Sequence, residues 1–178
     1  MGIDLPSGRQ TFDFDCGAKA LQLVLAYYGL DIPEINLLEE MKVSTEGTPL
    51  KNMMAVAEKH GFKVYAKCYF TLQKVKEYVD KNIPVIVLVQ AWAKKLMSLE
   101  EWKHDYDDGH YAIIVDHYGS VLVFEDPASF SKTWMTEKEF MARWHDVDTT
   151  SNAKLEHFGM ALFGKEPSPK HRMMEHMD

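Results

Sequence analysis

The chain has 178 residues, a length that fits one domain able to bury a core. Its apolar fraction of 46% and charged fraction of 26% are typical of a folded globular protein and exclude disorder over most of the length. The formal net charge of -7, with no cluster of Lys and Arg before the C-terminal residues, argues against a surface that binds nucleic-acid phosphates.

The apolar stretches and the two cysteines of the sequence indicate the cellular compartment. No run approaches the ~20 apolar residues that span a bilayer, and the first residues lack the pattern of an export signal. We therefore expect a cytoplasmic protein with no membrane span. In that reducing compartment Cys16 and Cys68 are expected to be free thiols, with Cys68 a small buried hydrophobic residue in a strand.

The first half of the chain is predicted to be mainly helical. Its apolar periodicity predicts helices over 16–29, 34–42, 47–61 and 71–82, with one strand over 62–68. The first helix is apolar on nearly every face and is therefore expected to be buried. Thr48 and Thr71 are predicted to cap the last two helices, with Pro49 at the first helical position.

The second half is predicted to form most of the sheet. The sequence predicts a strand over 84–92, an irregular stretch over 93–108 with a short helix near 99–103, a hairpin over 110–128, a helix over 136–146 and a strand over 158–164. The apolar run 84–92 does not alternate, which favours a central strand covered on both faces. The fold class is therefore α+β, with a domain over 1–165 and a flexible tail over 166–178.

Cys16 stands at the predicted N-terminus of the first helix. Unpaired N–H groups give a helix N-terminus partial positive charge, which stabilises a thiolate and suits a nucleophile. Gly17 leaves room for a substrate, and the Cys16 backbone N–H could donate a hydrogen bond to an oxyanion. An inert buried cysteine at a helix start is the alternative interpretation.

A cysteine nucleophile needs a base, and the base needs a group that orients its ring. His110 begins a strong predicted strand directly after Gly109, and Asp126 follows the next strand. A three-residue loop over 118–120 would place His110 diagonally next to Asp126 on one sheet face. A loop of two or four residues would place them on opposite faces, unless a β-bulge corrected the register.

These residues together resemble a known family. Gln10 stands six residues before a Cys-Gly pair that opens a long apolar helix, Gly-His-Tyr-Ala-Ile-Ile-Val then begins a strand, and Asp-Pro-Ala follows the next strand. This order is similar to that of the bacteriocin-processing cysteine peptidases, papain-like domains often found at the N-terminus of bacterial ABC exporters, where they cut leader peptides after a double glycine. The resemblance covers roughly residues 8–128.

The resemblance implies a fold and a set of roles. The expected fold is papain-like, with a central N-terminal helix packed on a mainly antiparallel sheet. Cys16 would be the nucleophile, His110 the general base and acid, Asp126 its orienting partner and Gln10 the oxyanion donor. The implied reaction is hydrolysis of a peptide or protein substrate such as a leader peptide, with no metal or organic cofactor. The sequence contains no Gly-x4-Gly-Lys-Ser/Thr loop, so any ABC exporter would be a separate partner.

Other interpretations of the same residues stay open. An amidase or acyltransferase could use the same triad with an amine as acceptor, and a non-catalytic domain could hold a leader-like peptide in the same cleft. The acidic and histidine-rich stretch 104–110 could instead bind zinc or iron. Trp92, Trp102 and Tyr106 could form a lid or substrate wall over the site, or could simply be packed in the core.

Overall fold

The computed structural model describes residues 2–174 and 176–177. The helices are α1 (Cys16–Tyr27), α2 (Glu34–Met41), α3 (Leu50–Lys59), α4 (Leu72–Asp80), α5 (Leu99–Trp102) and α6 (Glu137–Arg143), followed by a short 3-10 helix (Pro169–Arg172). The strands are β1 (Lys63–Lys67), β2 (Val85–Gln90), β3 (Gly109–Tyr118), β4 (Val121–Glu125), β5 (Thr133–Thr136), β6 (His145–Val147), β7 (Lys154–Glu156) and β8 (Gly159–Phe163).

Six strands form one antiparallel sheet in the order β1-β8-β2-β3-β4-β5, and β6 pairs with β7 in a small second sheet. Strand β8, the last in sequence order, therefore lies between β1 and β2, because it pairs with both. All six residues of β2 are buried, which confirms the prediction of a central strand. The α+β class is likewise confirmed.

Helix α1 is central, as predicted. It packs against β3 of the sheet and against α2 and α3. Ten of its 12 residues are buried, among them even Lys19, whose ammonium group pairs with Glu34 at 3.0 Å. Burial on almost every face explains why its apolar residues do not segregate to one stripe. This packing places the first turn of α1 beside the sheet.

Local signals identified two helix starts correctly. Thr71 Oγ1 accepts a hydrogen bond from the Lys74 N–H, and Thr136 forms a reciprocal capping box with Glu139. Thr48 was expected to cap α3, but that prediction is wrong, because the N-cap is Pro49. The Thr48 side chain instead lies against Gly17 of α1.

Three short strands were not predicted: β5, β6 and β7. Each has three or four residues, too few for alternation to be recognised, and each is defined by its partner strand. The division into a domain over 1–165 and a flexible tail stays a prediction. Within the tail, the Ser168 N–H donates to Tyr27 O at 2.8 Å and Arg172 pairs with Asp4 at 2.7 Å.

Both cysteines are free thiols. Cys68 is only partly buried, less than predicted, although it packs against the core. Among the described residues, no helix has the length and apolar character needed to cross a membrane.

Candidate active site

Cys16 is the first residue of α1 and is buried, with 9% of its surface exposed. The preceding residue, Asp15, is the N-cap, but its side chain does not cap the helix. Its carboxylate turns back and accepts hydrogen bonds from the N–H groups of Thr11 and Phe12 at 3.1–3.2 Å. Asp15 therefore fixes the segment that leads into the cysteine.

Asp15 is a residue whose role the sequence analysis did not identify. It is fully buried, and this burial raises the pKa of its carboxyl above the ordinary value, against the lowering effect of the Phe12 N–H. The only sequence signal is an acidic residue directly before an apolar helix. That signal also fits an ordinary N-cap, so it did not distinguish the two roles.

His110 lies near the start of β3, with its side chain buried beside Asp126. His110 Nε2 is 2.7 Å from Asp126 Oδ1. Because an ionised carboxylate can only accept, the ring N–H donates this hydrogen bond. The Cys16 side chain also acts on this ring, since its interaction with the imidazole raises the pKa of His110. Since Nε2 is held by Asp126, Nδ1 is the ring nitrogen left to face the thiol.

The β3–β4 hairpin brings His110 and Asp126 together through a two-residue turn combined with a β-bulge. The sequence predicted this combination only as an alternative to a three-residue loop. Tyr118 pairs with Val121, so the turn has two residues, and the expected three-residue loop is wrong. A β-bulge between Ile114 and Asp116 then shifts the register by one residue. Beyond the bulge Ile113 faces Glu125, which restores the alignment that the three-residue loop would have given.

Asp126 is held by more partners than His110 alone. Its Oδ1 also accepts from the Ala128 N–H at 2.9 Å. Its Oδ2 accepts from the Trp92 indole N–H at 3.2 Å and from the Thr133 hydroxyl at 3.3 Å. Four donors therefore surround one buried carboxylate, which fixes its orientation toward the histidine ring.

The electrostatics of the pair follow from these contacts. Burial is the largest influence on His110 and lowers its pKa, but the hydrogen bonds to Asp126 and Cys16 outweigh it and raise the pKa to about 9. For Asp126, burial acts to raise the pKa, while the His110 hydrogen bond and charge lower it below the ordinary value. The geometry therefore favours an imidazolium between a carboxylate and a thiol.

Gln10 lies next to the Asp126 turn, since its backbone N–H donates to Pro127 O at 2.8 Å. Its side-chain Nε2 donates to Phe12 O at 2.7 Å. Its Oε1 is buried and has no hydrogen-bond partner among the described residues. The side chain is thus fixed in the loop before Cys16, with one of its two amide hydrogens engaged.

The aromatic residues around stretch 93–108 have different surroundings. Trp102 is buried, with the Arg143 guanidinium 4.1 Å above its ring, so it packs instead of forming a lid. Tyr106 contacts Glu156 and the His145 ring. Trp92 is 58% exposed, has a backbone φ of 64° and reaches Asp126. Of these three aromatic residues, Trp92 is the one with a side-chain hydrogen bond to a predicted catalytic residue.

The alternative metal cluster is not assembled. His104 pairs with Glu100, four residues before it, and His110 pairs with Asp126. Over residues 2–174 and 176–177, no group of three or more His, Cys, Asp or Glu side chains is arranged to hold a metal ion.

Solved structures with this fold include several peptidases. The chain matches a double-glycine motif protease from an AMS/PCAT transporter in complex with the leader peptide, with a TM-score of 0.65 and 19% identity over 94% of each chain. It matches the peptidase domain of Streptococcus ComA, a bifunctional ABC transporter involved in quorum sensing, with a TM-score of 0.63 and 23% identity over 90% of this chain and 97% of that one.

A third structure, a C39-like peptidase from Bacillus anthracis, has a TM-score of 0.70 and 13% identity over 94% of this chain and 100% of its own length. These likenesses confirm the papain-like fold. No curated protein matched the chain. The sequence profile described as the peptidase C39 family matches residues 4–154. The chain therefore belongs to the peptidase C39 family of cysteine peptidases.

Proposed function

We propose that this cysteine peptidase cleaves peptide bonds with Cys16 as nucleophile, His110 as general acid and base, and Asp126 as the group that orients the histidine. The observation that carries the proposal is the placement of one buried imidazole against both an aspartate and the cysteine at a helix N-terminus. A thiol–imidazole–carboxylate series in that order is the arrangement that nucleophilic catalysis requires.

The proposed reaction has two stages. His110 takes the proton of the Cys16 thiol, the thiolate sulfur attacks the scissile carbonyl carbon, and the imidazolium gives that proton to the leaving amine as the C–N bond breaks. The acyl group is then bound to Cys16 as a thioester. His110 next takes a proton from a water molecule, which attacks the thioester carbonyl and releases the acid product and the free thiol.

Gln10 is the proposed oxyanion donor, together with the Cys16 backbone N–H. One hydrogen of its amide is engaged by Phe12 O, and the second is left for the substrate. Asp15 supports this role, since it holds the backbone between Gln10 and Cys16. Removing one such donor costs about 3 kcal/mol of transition-state stabilisation in comparable sites.

The proposed substrate class is a leader peptide that ends in a double glycine. The support is the transporter protease that was solved with its leader peptide and that shares this fold. We further propose an ABC exporter as a partner and, with it, a cytoplasmic location, because two solved structures that share this fold are proteases from such transporters.

The test is cleavage of synthetic peptides that carry a leader-like segment, a Gly-Gly pair and a short cargo, read by mass spectrometry. We expect one cut after the second glycine, and none with Cys16→Ala or with Val-Val in place of the pair. Binding without a cut in the parent protein would favour the non-catalytic domain. An amide product that dominates when a primary amine is added would favour the acyltransferase.

A further inference from the structure

A cavity of about 190 Å³ opens on one side of the Cys16 thiol. It lies between the loop over 45–48, the first residues of β3 and the segment over 146–149. The volume is below the ~300 Å³ of the smallest small-molecule sites. A cavity of this size suits one long side chain of a bound peptide.

The charged residues that line this cavity are all acidic. Four acidic residues line it, and none of the described residues that line it is Lys or Arg; the four are Asp13, Glu46, Asp146 and Asp148. Asp13 and Glu46 lie on the exposed rim, whereas Asp146 is partly buried. Carboxylates around a narrow cleft reinforce one another's field, because the low-dielectric walls limit screening.

Asp146 is fixed in the wall of the cavity. Its Oδ1 accepts a hydrogen bond from the fully buried Gln90 amide at 3.0 Å. Its Oδ2 lies where a side chain at Gly109 would begin, 2.1 Å from the ideal Cβ position. A glycine directly before His110 therefore makes room for a carboxylate close to the proposed base.

Thr48 supplies a second, independent indication of a ligand. It lines the same cavity and is only 3% exposed. Its hydroxyl oxygen has no hydrogen-bond partner among the described residues. A buried hydroxyl without a partner costs about 1–3 kcal/mol, so a ligand N–H that reached it would recover this free energy.

We propose that this cavity binds a cationic side chain of the substrate, a Lys or Arg residue close to the scissile bond. The carboxylates of Asp146 and Asp148 neutralise the ammonium or guanidinium group, and the Thr48 hydroxyl accepts one of its N–H donors. This inference rests on the proposed function only in placing a peptide across Cys16, and it does not require the double glycine.

The test uses thiol reagents that differ only in charge. In a Cys68→Ala protein, Cys16 is treated with 2-aminoethyl methanethiosulfonate, a cation, and with 2-sulfonatoethyl methanethiosulfonate, an anion. The thiolate attacks the sulfenyl sulfur, a disulfide forms and methanesulfinate leaves. Each rate constant is divided by that of N-acetylcysteine amide. A Cys16→Ala protein, in which only Cys68 reacts, gives a reference ratio of the two rate constants. This ratio shows how much cation preference comes from the net charge of the whole chain.

We expect the cation-to-anion ratio at Cys16 to exceed the Cys68 ratio by about tenfold or more, and to fall as ionic strength rises. Asp146→Asn with Asp148→Asn should lower the Cys16 ratio at least about fivefold. Asp13→Asn with Glu46→Gln, at exposed positions where folding is not at risk, should lower it in the same direction. The matched control, Asp31→Asn with Glu39→Gln on the exposed surface, should leave it unchanged.

A ratio equal to that of Cys68, or one unchanged by both cavity pairs, would overturn the proposal. That result would leave the peptidase assignment intact, because the reagents report only the charge around the thiol. A high ratio in a protein that cuts no peptide would instead contradict the proposed function and leave a cation-binding cleft. In an active enzyme, replacing Lys by norleucine next to the cut should raise KM more than it lowers kcat.

Discussion

At the residue scale, the site depends on how firmly Asp126 is held. The His110 ring, the Ala128 N–H, the Thr133 hydroxyl and the Trp92 indole all donate to its two oxygens. Trp92 makes this contact from a loop, half exposed and with a positive φ that a tryptophan rarely adopts. Backbone strain of this kind costs about 1–3 kcal/mol and persists where the surrounding structure imposes it.

We therefore expect Trp92 to act as a positioning residue for Asp126. Trp92→Phe keeps the ring and removes the N–H, so kcat/KM for a cleaved peptide should fall about three- to tenfold, the equivalent of one hydrogen bond worth ~0.5–1.5 kcal/mol. Unfolding free energy should change little. The matched control is Trp134→Phe, at another exposed tryptophan. Equal effects of the two substitutions on kcat/KM would contradict the assignment.

The raised pKa of His110 predicts how stability changes with pH. The pKa of about 9 in the folded protein lies above the ordinary 6.5, so the stabilisation is fully present below pH 6.5 and is lost as pH rises through 9. Asp126→Asn removes the carboxylate that raises this pKa.

Urea unfolding at pH 6 and pH 9.5 measures this loss. We expect the parent protein to lose more unfolding free energy between the two pH values than Asp126→Asn does, with background titrations common to both. Equal losses in the two proteins would show that the aspartate does not raise the pKa of the histidine.

At the element scale, the contact between α1 and the loop before α3 fixes one wall of the cavity. An added Cβ at Gly17 would meet the Thr48 side chain at 2.7 Å and the Met53 methyl at 2.9 Å. The expected Thr48 cap is replaced by this packing. Periodicity located both helices but could not show that one glycine of α1 meets the start of α3.

The sign of the change in unfolding free energy caused by Gly17→Ala tests this contact. Alanine is favoured over glycine in a helix by about 1 kcal/mol, so a free position would be stabilised. The close approach of Thr48 and Met53 predicts the opposite, a destabilisation of about 1–3 kcal/mol from overpacking. Denaturant unfolding of the two proteins decides between them, and a stabilised variant would contradict the packing.

The hairpin shows what sequence reasoning can and cannot determine. Residue types at strand ends identified His110 and Asp126 as a pair, and alternation limited them to one face or to opposite faces. The Gly119-Ser120 pair is typical of a two-residue turn, so the turn length was misjudged. No glycine marks the bulge near Val115, so the register shift was not identifiable from the sequence. Two deviations, a shorter turn and an extra residue, cancel and give the predicted alignment.

At the scale of the whole molecule, β8 joins β1 to the rest of the sheet. The family match ends at residue 154, but β8 begins at Gly159 and lies between β1 and β2. Its Met160, Ala161 and Leu162 are almost fully buried. The sequence predicted this strand correctly, but its position in the sheet follows from pairing between distant segments, which local patterns do not encode.

Truncation separates this structural strand from the tail. A chain that ends at residue 158 should lose its cooperative thermal transition, because β1 is left without a partner and the core is opened. A chain that ends at residue 165 keeps β8 and should retain a single transition, as the predicted single domain requires. Circular dichroism measures both, and a normal transition in the shorter chain would show that β8 is dispensable.

The central claim is that Cys16 and His110 form an activated pair, and the most direct test is alkylation of Cys16. The rate of reaction with iodoacetamide is measured from pH 4 to 9 in Cys68→Ala and in Cys68→Ala/His110→Ala. At pH 6 we expect Cys16 to react about tenfold or more faster when His110 is present, and the difference to shrink toward pH 9. Identical profiles in the two proteins would contradict the account.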